Sequence, residues 1–141
     1  MYLKKIILEN VGPIENLEFM PQFSGEGNPK PIIVVGENGS GKSIFLSHIV
    51  NGMLAAQQVI YTENTEIESG KVFKLRSPDY ILSGNGYSFG KVEFSGELNY
   101  FEWTLLTTRK EFEDKLNFTP NHKEWNQIPE NEYNFIRHYR K

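Results

Sequence analysis

Gly36-Glu37-Asn38-Gly39-Ser40-Gly41-Lys42-Ser43 fits the pattern G-x-x-x-x-G-K-[ST] without a gap. Gly36, Gly39 and Gly41 allow turns that a Cβ would forbid, so successive backbone N–H groups can converge on phosphate oxygens. A helix that begins near Lys42 adds its N-terminal partial positive charge. Lys42 is then placed to reach β- and γ-phosphates, and the Ser43 hydroxyl to ligate Mg²⁺. The segment predicts a nucleotide phosphate site made by all eight residues.

The flanks agree with that reading. Ile32-Ile33-Val34-Val35 is a β-branched run bounded by Pro31 and Gly36, which predicts a strand buried on both faces. Residues 42 to about 56 predict a helix. Phe45, Ile49 and Met53 form one apolar row and Leu46, Val50 and Leu54 a second, a width that implies burial against a sheet. Gly52 reads as a point of close packing. Upstream, residues 2–20 predict two strands around a turn at Gly12-Pro13, followed by a polar loop over 24–29.

Downstream of Lys71 the period changes to two, and 72–76, 87–94 and 98–108 predict strands. Ser95-Gly96-Glu97 reads as a hairpin connection, and 110–117 as a short helix. Phe118, Trp125, Tyr133, Phe135 and Tyr139 are too apolar for a free tail and call for a surface to pack on, within this chain or on a partner.

Composition bounds the function classes. The 141 residues have length for one domain with a core. Net charge of −3 gives no global basic field for nucleic acid, and the absence of cysteine removes disulfides and thiolate metal sites. No apolar run is long enough to span a membrane, and the N-terminus lacks a secretory apolar region, so a soluble, cytoplasmic location is expected. His48, His122 and His138 lack a second ligand at helical spacing; His48 reads as a packed helix residue.

The loop, with Asn-Gly-Ser inside it, resembles the ABC-type loop of the SMC, RecF and OLD-nuclease ATPases. The string Leu3-Lys4-Lys5-Ile6-Ile7-Leu8-Glu9-Asn10-Val11-Gly12-Pro13-Ile14 is similar to the opening strands of the same heads. The resemblance covers residues 1–57 well and 71–108 by pattern. It implies a head domain that binds ATP and Mg²⁺, dimerises around nucleotide, and serves DNA repair, chromosome handling or phage defence. The partners implied are a second copy or the remainder of the ATPase, with DNA reached through the complete assembly.

Other elements of such a head are missing. Walker B needs an apolar strand ending in Asp-Glu, and neither Asp79 nor Asp114 ends such a strand. Leu82-Ser83-Gly84-Asn85-Gly86 superficially resembles the signature loop, but strand-like residues follow where a helix should open, so it reads as a β-turn. Gln127 is the sole Q-loop candidate after the β block, and it lacks a preceding strand. No catalytic residue is assigned within the chain, and ATP hydrolysis would need elements from elsewhere.

The expected architecture is α/β: a P-loop NTPase half-domain with a mixed sheet, the P-loop strand central, helix 42–56 packed on it, and an antiparallel β-lobe at about 71–108. Residues 1–117 would form this lobe and 118–141 an aromatic segment, truncated or docked on a partner. Two other readings compete, a small P-loop kinase and a non-catalytic nucleotide-sensing module. Lys71, Lys74 and Arg76 make a poor kinase lid.

Overall fold

The opening residues form two strands, β1 (Leu3–Val11) and β2 (Ile14–Phe19), antiparallel with Leu8 opposite Leu17. The computed structural model describes residues 1–60, 80–96, 98–106, 114 and 134–140. Within them follow α1 (Lys42–Ile60), β3 (Tyr87–Phe94), β4 (Leu98–Leu105) and β5 (Asn134–Arg140). The strands make one sheet in the order β2-β1-β3-β4-β5, and every neighbouring pair is antiparallel.

Side chains alternate across a strand, and here the even-numbered ones of β1, β3 and β4 face the helix, joined by the odd-numbered Leu17 and Phe19 of β2, which lie opposite Leu8 and Ile6. Ile6, Leu8, Val92, Phe94 and Tyr100 meet Ile44, Phe45 and Ala55 of α1 in one buried cluster. Each of the Ile, Leu, Val and Phe side chains contributes about 1.5–3 kcal/mol by leaving water. Gly52 lets the helix come close: a methyl there would lie 2.9 Å from Phe94 Cε2 and 3.4 Å from Tyr100 Cβ. The close-packing role expected of Gly52 is thus observed. Phe89, Phe101 and Trp103 lie on the opposite face and are also buried, so β3 and β4 are enclosed on both sides.

Two expectations need correction. Residues 32–35 form no strand, and Ile33 and Val35 are each 84% exposed. A doubly buried strand needs hydrogen-bonded neighbours and cover on both faces, and no described residue supplies either. Among the described residues the sheet is therefore antiparallel rather than mixed, and the P-loop segment is not its centre. The lobe expected to be antiparallel is so in β3 and β4, and it continues the sheet begun by β1, because β1 pairs directly with β3.

The helix is also rotated from the expected burial. Leu46 and Met53, one from each apolar row, are about half exposed, while Ser47, His48 and Asn51 are buried. One sheet face covers only one stripe of a helix, and the close approach at Gly52 selects the stripe that carries these small and polar groups. The segment 134–140 pairs with β4, so part of the aromatic C-terminal region belongs to the sheet. The segments at 72–76, 107–108 and 118–133, and most of 110–117, lie outside the described residues.

Candidate functional site: the loop before α1

Local geometry builds the loop from its sequence. Gly39 and Gly41 have φ of +84° and +96°, in the region that L side chains rarely adopt. The chain enters α1 immediately afterwards, and the Phe45 N–H donates to Gly41 O at 2.9 Å. The first helical turn has no acidic residue, so no carboxylate there competes with an anion for the positive end of the helix. Residues 36–40 and Ser43 are exposed, and Gly41 and Lys42 are half-buried.

Lys42 folds back over this loop. Its amine donates to Gly36 O at 2.7 Å and to Glu37 O at 2.6 Å. The Ser40 N–H donates weakly to Glu37 O at 3.3 Å. An anion entering the loop would exchange neutral carbonyl acceptors for charged oxygens, which form the stronger bonds to an ammonium. The eight predicted residues therefore span an exposed loop, 36–40, and its half-buried entry into the first turn of α1.

An apolar cleft of about 310 Å³ runs beside the loop. It is lined by Ile14, Leu17 and Phe19 of β2, by Lys42 and Phe45 of α1, and by the 32–35 segment. The Phe19 and Phe45 rings meet edge to face, 6.0 Å between centroids. Sequence reading missed the part played by the β1–β2 turn. The Gly12-Pro13 signal marked a turn, but nothing in linear order places it against residues almost thirty positions later.

The buried polar groups of α1 lie further along the helix. His48 Nδ1 bonds Ile44 O at 2.9 Å, which makes Nδ1 the protonated nitrogen in the neutral ring. Its Cδ2 edge lies against Gly90. The Tyr100 hydroxyl donates to Glu102 and also contacts the Asn51 side chain, linking β4 to the helix. Burial, with the Glu102 charge second, pushes the Tyr100 phenol far above its ordinary value of 10.0. Tyr87 is raised in the same way, by burial first and then by its hydrogen bond to Glu9.

Other sequence candidates fall into place. Leu82 to Gly86 forms a turn, with the Asn85 N–H on Leu82 O at 3.0 Å, and leads into β3 rather than a helix. Asp114 is exposed, and Asp79 and Gln127 lie outside the described residues. Among the described residues no group of three His, Cys, Asp or Glu side chains could hold a metal, and no helix is long and apolar enough to cross a membrane. No protein-family model and no curated protein matches the chain.

Proposed function

We propose that the chain binds ATP with Mg²⁺ through residues 36–43, as part of a P-loop ATPase of the SMC/OLD kind. The observation that carries the reading is the Lys42 amine, closed over the loop onto the carbonyls of Gly36 and Glu37 at an acid-free helix N-terminus. A glycine-rich backbone, a helix N-terminus and a lysine adjoin there, the combination that phosphate binding uses. The site cleaves nothing by itself, since the sequence has no Walker B strand to hold a water-polarising glutamate.

The Mg²⁺ reading rests on Ser43. Its exposed hydroxyl on the first turn of α1 offers one neutral oxygen beside the loop. Mg²⁺ suits such a sparse donor set, because it keeps several waters and takes its remaining ligands from phosphate. When bound it would neutralise charge between the phosphates.

Exposed apolar surface supports a head completed from elsewhere. The open 32–35 segment and the half-exposed Leu46 and Met53 of α1 present apolar groups to water. Strands from the remainder of the ATPase, or a second copy, would cover them. DNA repair, chromosome handling or phage defence is the setting such an assembly implies.

Calorimetric titration with ATP-Mg²⁺ tests the reading. Saturable binding is expected, weakened about tenfold or more by Lys42→Ala through loss of a charge-assisted contact, with turnover near background. Absence of binding, or equal affinity in the variant, refutes it.

A further inference from the structure

The turn between β1 and β2 seats the phosphate loop from behind. A methyl on Gly41 would lie 2.7 Å from Ile14 Cγ1, 2.9 Å from Ile14 Cδ1 and 3.3 Å from Pro13 Cγ. One on Gly12 would lie 2.6 Å from Ile44 Cδ1, in the first turn of α1. The turn therefore touches both the last loop glycine and the helix that the loop opens, and Ile14 is buried between them.

The turn is itself held on its far side. The Gly12 N–H donates to Tyr80 O at 2.8 Å, the Leu82 N–H donates to Asn10 O at 2.9 Å, and Val11 bridges Ile81. Force applied to the loop at Gly41 thus passes through Ile14 into hydrogen-bonded backbone.

We infer that Ile14 is a positioning residue for the phosphate loop: its side chain, backed by residues 80–82, fixes Gly41 and so aims the backbone N–H groups of 39–43. The loop needs such a buttress. Two of its glycines have positive φ and no Cβ to restrict them, residues 36–40 are exposed, and its internal backbone contact is a 3.3 Å bond. Gly41 is accordingly required by the Ile14 contact as well as by its own φ. The aiming of N–H groups at phosphate rests on the proposed nucleotide site, whereas the packing of the turn on the loop does not.

Amide hydrogen exchange on the ligand-free full chain tests this, comparing wild type with Ile14→Ala, Ile14→Val and Leu8→Ala. Leu8 belongs to the same core but approaches Gly90 rather than the loop. In Ile14→Ala, exchange at the Ser40 and Phe45 amides, which are bonded to Glu37 O and Gly41 O, is expected to rise roughly tenfold or more while β3 and β4 keep wild-type rates. Ile14→Val restores most of the protection, and Leu8→Ala does not produce the pattern. Unchanged loop exchange in both Ile14 variants, or a rise spread evenly over the sheet, overturns the inference, the milder valine variant serving if alanine unfolds. Repeating the measurement with ATP-Mg²⁺ separates the two claims. No added protection in wild type defeats the nucleotide reading while the free-chain rates still decide the role of Ile14.

Discussion

Gly90→Ala is the sharpest probe of how α1 is set on the sheet. The added methyl would stand 2.7 Å from His48 Cδ2, against the 3.4 Å at which ordinary contact begins, a shortfall of 0.7 Å. His48 Nε2 is 3.0 Å away and Leu8 Cδ2 is 3.4 Å away, so the strain falls on one ring. That ring is 5% exposed and tied through Nδ1 to Ile44 O at 2.9 Å, so relief requires either a broken hydrogen bond or a shifted helix. Overpacking of this kind costs about 1–3 kcal/mol. In a His48→Ala background the same methyl enters vacated space, and the reduced backbone entropy of alanine makes it neutral or stabilising by about 0.5–1 kcal/mol. Urea unfolding of wild type, both single variants and the double variant measures the coupling, expected at about 1–4 kcal/mol in favour of the pair. Equal cost of Gly90→Ala in both backgrounds would refute the reasoning. Because His48 lies less than two helical turns beyond Lys42, a helix displaced by Gly90→Ala should also disturb the phosphate loop.

Two further outcomes follow from the same contacts. Gly41→Ala combines an unfavourable positive φ with the clash on Ile14 and should lose about 2–5 kcal/mol in urea unfolding, a wild-type midpoint being the contrary result. The raised Tyr100 phenol stays protonated in the folded chain at pH values where the unfolded chain has lost its proton. Its contribution is therefore complete below pH 10 and is lost as pH rises above it, at up to about 1.4 kcal/mol per pH unit. Tyr100→Phe, although less stable at neutral pH because Glu102 loses a donor, should show a shallower alkaline decline; an unchanged slope between pH 10 and 11 contradicts the assignment.

Much of the fold was legible from periodicity. The β-branched run of β1, the alternation in β2, β3 and β4 and the rows of α1 reflect side-chain type and direction, which are local properties, and the glycine spacing of 36–43 likewise predicted the loop conformation at Gly39 and Gly41. The run 32–35 misled because β-branched composition reports preference for extended backbone, whereas pairing depends on a neighbour that sequence order does not reveal. The two apolar rows of α1 misled for a related reason: hydrophobicity alone could not weigh Leu46 and Met53 against the tight fit at Gly52.

What the sequence determined by itself was the loop before α1, its glycines and lysine, and the strands that alternate, because these follow from backbone sterics and local side-chain direction. Tertiary structure alone decided that Ile14 packs on Gly41, that His48 meets Gly90, and that 32–35 stands outside the sheet. Those outcomes depend on which surfaces come within a few ångströms after folding, a distance that is unrelated to separation along the chain.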